Sequence, residues 1–520
     1  MGAATKYTTE ALKKLHWVCA LSTTTITALW VAAAPVPSFV TLISSASADD
    51  SMSALTEMTK KVRVFTLKNG LKVIMYNRGT APVFTGAVVV RVGGSDEVQG
   101  ETGISHLFEH MAFKGTKTIG TNDYAREKVL LDRLEVIAAA SNSANSLSEE
   151  QRKEWDSIHT ELKGIWAGED FTRRLDKHGA QGLNATTDKE FTKYFVNLPR
   201  SAFEFWCRME ADRLINPVMR QFYQERDVVL EERRMRYEDD PLGKLYELLL
   251  GVAYQRHPYR APVIGYERDI KSITARQLEA FRQRFYTPSN TVISVVGRVD
   301  PDQDIKVIEQ YFGDIPAAPA PDRSAIISEG EQEGERRVEL RTKAAPQLLV
   351  AYRKPNYPHP DDPAISVMNE ILSGGKTSPL YIELVKKKQI VSGIGSEEAP
   401  GLAYPNLFMF IAPVKAPHST DEALAAFDGV IAKFKKTGPK EELLDIAKRS
   451  IGMSYLQQLG SNQSLALDFA SSELMFGSWR TSVEWYDKVM QVTAEDVRRV
   501  SQMYLLPEHR TVGTVQPTKE

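Results

Sequence analysis

Residues 272–296, SITARQLEAFRQRFYTPSNTVISVV, and residues 491–515, QVTAEDVRRVSQMYLLPEHRTVGTV, are two copies of one pattern set 219 positions apart. Thr274 matches Thr493, Ala275 matches Ala494, Leu278 matches Val497, Phe281 matches Val500, Phe285 matches Tyr504 and Pro288 matches Pro507. Each copy reads as a Thr-capped amphipathic helix that stops just before a proline and runs into a strand. A unit recurring at the end of each half indicates a duplicated chain. The chain therefore divides into two units of like architecture, in keeping with 520 residues, too many for one ordinary core.

Within the first unit, VRVFTLKNGLKVIMYN places alternating apolar residues on both sides of Asn69-Gly70, a hairpin signal. FTGAVVVRVGG (84–94) reads as a strand, nearly continuous in apolar residues and so central. Strands and helices then alternate to about residue 317. IPAAPAPDRSAIISEGEQEGE has no clean periodicity and reads as a linker. A new strand opens at RRVELRT (336–342). The resulting division is a short N-terminal linker at 49–61, a first domain at 62–317, a linker at 318–335 and a second domain at 336–520. Net charge is -2, which argues against a nucleic-acid partner.

The N-terminus departs from this pattern. Lys13 and Lys14 precede an uncharged stretch from Leu15 to Ala48, and Ala46-Ser47-Ala48 has the small-x-small form of a signal peptidase site. Residues 1–48 read as an export leader cleaved after Ala48, which places the protein in the periplasm or outside the cell. An uncleaved membrane anchor is the alternative, although Pro35 and Pro37 would break a spanning helix. Cleavage leaves a net charge of about -4 and a single cysteine, Cys207. It cannot form an internal disulfide, and beside Phe205 and Trp206 it reads as a small buried apolar residue.

The chemistry concentrates in GISHLFEHMAFKG (103–115). On an α-helix, residues four apart share a face, so the imidazoles of His106 and His110 stand one turn apart. Two neutral imidazoles from one helix form half of a tetrahedral zinc site. Glu109 reaches the same space without being a ligand, where a carboxylate can take a proton from an attacking water and pass it to a leaving amine. Leu107, Phe108, Met111 and Phe113 give the site apolar surroundings. Two of only nine histidines falling at this spacing, with a glutamate between them, favours a metal site over packed histidines. A catalytic zinc takes a third protein ligand. The candidate segment is QERDVVLEERRMRYEDDP (224–241), a carboxylate-rich helix in which Val228 and Val229 are expected to pack inward. Most of its charges read as a solvated face. Spacing leaves Glu225, Glu231 and Glu232 all open as the third ligand.

Taken together, HLFEH, GLNATTDKEFTKYF and ERDVVLEERRMRYEDDP resemble the pitrilysin/insulinase-type zinc peptidases, closest to their processing-peptidase-like branch. The inverted H-x-x-E-H motif is itself a zinc-peptidase signature. The resemblance spans the mature chain and implies an α+β fold of two tandem homologous domains. Each would be a mixed, largely antiparallel sheet backed by helices, the two forming a half-clamshell. It implies Zn2+ as the cofactor, His106, His110 and Glu232 as ligands, and Glu109 as general base. Glu225, seven residues before Glu232, would orient a ligand. Asn184 and Ala185 in LNATT would receive the backbone of a peptide substrate on an edge strand. The implied function is an exported zinc endopeptidase, with a non-catalytic scaffold subunit as the alternative.

Two departures stand out. Between His110 and Glu232 lie 121 residues, where the family has roughly seventy-odd. The surplus falls in 130–179, where two helical patterns around a Ser/Asn turn suggest a surface hairpin. The second half also lacks HLFEH, and places Val385 and Ser392 where active single-chain relatives carry an Arg and a Tyr that hold substrate. Lys386, Lys387 and Lys388 next to them read as a solvated basic helix end. A homologous partner subunit supplying that pair, or a homodimer, is therefore expected.

Overall fold

The computed structural model describes residues 57–79, 81–140 and 147–518. The leader, its cleavage site and the Ser/Asn turn at 141–146 lie outside the described residues. No described helix is long and apolar enough to cross a membrane.

The first sheet holds β1 (Val62–Thr66), β2 (Lys72–Asn77), β3 (Val83–Val90), β4 (Gln181–Thr187), β5 (Thr192–Pro199) and β6 (Thr291–Gly297). Their spatial order is β1-β2-β6-β3-β5-β4, and only β2 and β6 run parallel. The second sheet holds β7 (Arg336–Thr342), β8 (Gln347–Lys354), β9 (Gly395–Ala399), β10 (Asn406–Pro413) and β11 (Arg510–Pro517). Its order is β7-β11-β8-β10-β9, and only β7 and β11 run parallel. Apart from β1, the two sheets have the same order and the same single parallel pairing. The architecture is thus two largely antiparallel sheets backed by helices.

The repeated pattern explains the match. Thr274 caps the helix Ala275–Phe285 by accepting from the Gln277 amide, and the Gln277 side chain accepts in return from the Thr274 amide. Thr493 and Asp496 do the same for Ala494–Tyr504. Each reciprocal cap satisfies two otherwise orphan amides and contributes about 1 kcal/mol. Each helix then passes through a short proline turn into a strand, β6 or β11.

β3 is central, as its apolar run requires: Phe84 to Val90 are buried. Phe84, Val88 and Val90 face the core that contains Trp206 and Cys207, and Ala87 and Val89 face the opposite side. Gly86 is required there, because a Cβ would come within 2.3 Å of the Trp206 ring. Between β1 and β2 the turn is longer than a two-residue hairpin. Gly70 takes φ +90, while the Asn69 side chain accepts from Leu71 N within the turn and donates to Phe312 O and Ile315 O.

The halves exchange helices. The outer face of the first sheet, including Ile74, Ala87, Val89 and Val292, is covered by Leu465, Ala466, Phe469 and Ala470 of the second-half helix Asn462–Phe476. The second sheet, through Leu349, Ala351, Leu407 and Met409, is covered by Leu245, Leu249 and Leu250 of the first-half helix Pro241–Ala253. Each fully buried Leu or Phe contributes about 1.5–3 kcal/mol, so each half stabilises the other.

The segment after the histidine motif forms a helical hairpin. Leu130, Leu134 and Ile137 of Tyr124–Ala140 pack against Ile158 and Leu162 of Glu149–Ile165. A shorter helix, Asp170–Lys177, leads back to β4. The hairpin is fastened to the site region by buried Arg220. It pairs with Glu127 and donates to the carbonyls of Lys114, Thr116 and Ile119.

Candidate metal centre

The motif helix Ile104–Met111 follows β3 and lies against β4 and the glutamate helix Phe222–Arg233. Gly103, at φ +91, begins it without a side-chain cap of its own. The buried carboxylate of Glu97 takes that role, accepting from Gly103 N at 2.8 Å and Ser105 N at 2.9 Å. Burial pushes the Glu97 carboxyl up to about 7, against these hydrogen bonds and nearby Lys189. On the glutamate helix Val229 is buried but Val228 is 39% exposed. This corrects the expectation that both pack inward, since adjacent helical residues cannot share a face.

His106 and His110 stack edge to face with ring centroids 4.7 Å apart. The carboxylate of Glu232 spans them: Oε1 lies 3.8 Å from His106 Nε2 and Oε2 lies 3.5 Å from His110 Nε2. One ligand atom from each of the three residues lies within 4.8 Å of the others, the one such cluster found among the described residues. A tetrahedral zinc with bonds of about 2.1 Å spaces its ligand atoms by roughly 3.4 Å, so this donor set fits zinc with small side-chain adjustments. Of the three carboxylates left open by spacing, Glu231 turns outward to Arg234. Glu225 stands behind the pair: His110 Nδ1 donates to its Oε1 at 3.0 Å, and Lys114 holds Oε2 at 2.5 Å. Once His110 gives up its second proton to a bound cation, that bond keeps the remaining proton on Nδ1 and turns the Nε2 lone pair toward Glu232.

The electrostatics follow from burial and charge. Burial, then the neighbouring His110, pulls His106 down to about 3 and keeps it neutral. Burial also opposes charge on His110, but hydrogen bonds with Glu225 and Glu232 outweigh it and push His110 up to about 10. Burial would raise Glu232, yet His110, His106 and Arg236 together pull it down to about 2. The pocket thus sets two carboxylates held below their usual range, Glu225 and Glu232, against two imidazoles, a donor set that takes a divalent cation in exchange for the His110 proton.

Glu109 lies beside the cluster. Thr187 Oγ1 donates to its Oε2 at 2.6 Å. Burial raises the Glu109 carboxyl, with the His110 charge and the Thr187 bond opposing. Thr187 ends β4, the outermost strand of its sheet. Asn184 and Ala185 sit midway along β4 and pair with Phe195 and Tyr194 of β5, leaving the strand's other edge without a neighbouring strand among the described residues.

In the second half, Val385 packs against the apolar core and the Ser392 amide donates to Pro413 O. Lys387 pairs with Glu383 on its own helical segment at the surface. Reading the sequence did not single out Thr187, Lys114, Glu97 or Arg236. Thr187 is the last residue of LNATT, and Arg236 stands four residues beyond Glu232, so spacing carried a signal for both. For Lys114 and Glu97 the sequence carried none.

Comparison with known proteins gives a consistent picture. Residues 72–146 and 163–267 match the family described as Insulinase (Peptidase family M16), and 272–451 match the Peptidase M16 inactive domain. The unmatched 147–162 covers the cap and most of the second helix of the hairpin. The chain is 26% identical over 481 residues to the zinc protease PqqE of Helicobacter pylori, covering 90% of this chain and 95% of that protein. Among solved structures, a protease from Helicobacter pylori aligns with TM-score 0.73 and 24% identity, over 88% of this chain and all of that one (100%). A peptidase M16 inactive domain from Pseudomonas fluorescens aligns with TM-score 0.72 and 18% identity, over 88% and 98%.

Proposed function

The chain belongs to the insulinase-type M16 peptidase family, and on that premise we propose that it is a zinc-dependent endopeptidase acting on extended peptides or unfolded segments. The observation that carries the reading is the convergence of His106, His110 and Glu232 beside a carboxylate, Glu109, that stands outside this ligand cluster and is held by Thr187. A site that merely staples a fold needs no such free carboxylate. Zinc, held by these three residues, would supply the Lewis acidity that polarises the scissile carbonyl and makes water nucleophilic near neutral pH.

The protein's own groups do the rest. Glu225 fixes the His110 tautomer. Glu109 takes a proton from the attacking water on its carboxylate oxygen and delivers it to the leaving amine. Thr187 holds Glu109 at the end of the strand whose Asn184 and Ala185 receive the peptide backbone. Apolar Leu107, Phe108 and Met111, all buried, limit bulk water. The leader supports export to the periplasm or beyond. Val385 and Ser392 support a working unit completed by a homologous subunit or a second copy.

The test is zinc content and peptide cleavage for the wild type and Glu109→Gln, alone and with a homologous chain. Retained zinc with cleavage lost in the variant supports the reading. Equal cleavage by both, or no zinc in the wild type, overturns it. Zinc binding without cleavage in any combination favours a scaffold subunit.

A further inference from the structure

The glutamate helix does not end at Arg233. It continues as a π-helical turn over Arg234–Glu238, and the Asp239 amide reaches back to Arg234 O. Such widened turns recur at functional sites because they re-aim side chains. Four arginines belong to this stretch, and three have partners away from the metal centre. Arg226 donates to Lys271 O and Ile273 O, buried Arg233 pairs with Glu247, and Arg234 pairs with Glu231 and Asp239 at the surface. Arg236 alone of the four reaches the metal ligands: its guanidinium lies 2.9 Å from Glu232 Oε1.

That contact is an ion pair without hydrogen-bond alignment, since Glu232 Oε1 has no hydrogen-bond partner among the described residues. It is also one-sided: the Arg236 side chain is 40% exposed and that of Glu232 only 12%. The guanidinium therefore stands at the mouth of the site and can leave without opening the core. Its charge acts on His106, Glu109 and Glu232 alike. A divalent cation between the imidazoles and Glu232 would compete with it for the same carboxylate. An Arg repelled from Glu232 by that cation, and free on its solvent side, is a ready donor to carbonyl oxygens. The second half offers no cation at Val385 or Ser392.

We propose that Arg236 is a substrate-positioning residue: it exchanges Glu232 for a backbone carbonyl of the bound peptide when the metal site fills. This rests on the peptidase reading, but its first half concerns metal binding alone. The experiment uses the full chain and its Arg236→Gln and Arg236→Lys variants. Zinc affinity is measured by competition with a chromophoric chelator, and cleavage of a fluorogenic peptide gives KM and kcat separately. Removing the competing guanidinium should tighten zinc binding by about 3- to 10-fold in Arg236→Gln. KM should rise about 10-fold with kcat within 3-fold, and Arg236→Lys should recover part of the KM. Unchanged or weaker zinc binding overturns the exchange. Unchanged KM, or a loss confined to kcat, overturns the positioning role. A wild type that binds zinc but cleaves nothing refutes the peptidase reading and the positioning role with it, leaving the exchange to be judged on affinity.

Discussion

His110 and Lys114, four residues apart across the end of the motif helix, grip opposite oxygens of a single carboxylate: His110 Nδ1 lies 3.0 Å from Glu225 Oε1, and Lys114 Nζ lies 2.5 Å from Glu225 Oε2. The imidazole is thereby held from behind, its tautomer set by a group that need not touch a metal. Glu225→Gln keeps the shape but weakens both contacts. Zinc affinity is expected to fall about 10- to 100-fold while circular dichroism stays that of the wild type. An affinity within 2-fold of wild type would show that Glu225 orients nothing.

Thr187 makes the parallel case for Glu109. Among the described residues its hydroxyl is the one side-chain donor to that carboxylate, and it sits at the end of the strand proposed to carry substrate. Thr187→Val should leave zinc content unchanged and lower kcat several-fold. The cost to stability should be about 1 kcal/mol, the usual net value of one hydrogen bond. If kcat is unaffected while stability drops, the bond serves the fold and not the chemistry.

The exchanged helices predict coupled unfolding. Phe469 is fully buried against the first sheet and Leu249 against the second, each from the opposite half. Phe469→Ala should cost about 3–5 kcal/mol and Leu249→Ala about 2–5 kcal/mol. Each should shift one common transition in differential scanning calorimetry. A thermogram that splits into two peaks, only one of them moved by each variant, would mean the halves fold independently.

How far these features could be read from the sequence depended on range. The 219-residue offset carries β6 onto β11, because a cap, an amphipathic helix and a proline stop are local signals. The histidine pair was equally legible, since i, i+4 spacing on a helix fixes a shared face. Seven-residue spacing left Glu225 and Glu232 undecided. Both lie on the face toward His110, and only the three-dimensional register separates the carboxylate that spans the imidazoles from the one behind. Glu109 and Thr187 are 78 positions apart, joined by sheet order that no local pattern encodes. Likewise an apolar stripe on Asn462–Phe476 announces burial without saying against which sheet. Val228 shows the opposite error, where neighbouring apolar residues were read as one face.

Asp468 provides a test by pH away from the metal centre. It lies on the exchanged helix Asn462–Phe476, accepting from Ser482 Oγ at 2.6 Å and Ser472 Oγ at 3.4 Å, with Lys193 of the first half as the nearby cation. Burial pushes its carboxyl up to about 6, and the two serines and Lys193 only partly oppose this. An unfolded aspartate titrates near 3.9, so the folded state holds its proton more tightly than the unfolded one. The associated stability is full below about pH 4, declines as pH rises towards 6 and is absent above it, a difference on the order of 3 kcal/mol. Asp468→Asn keeps an acceptor for the serines and removes the titration. The variant should therefore melt several degrees above the wild type at pH 7.5, the gap closing as pH is lowered toward 4. A gap that stays constant across that range would show that Asp468 ionises in the folded protein as it does in water.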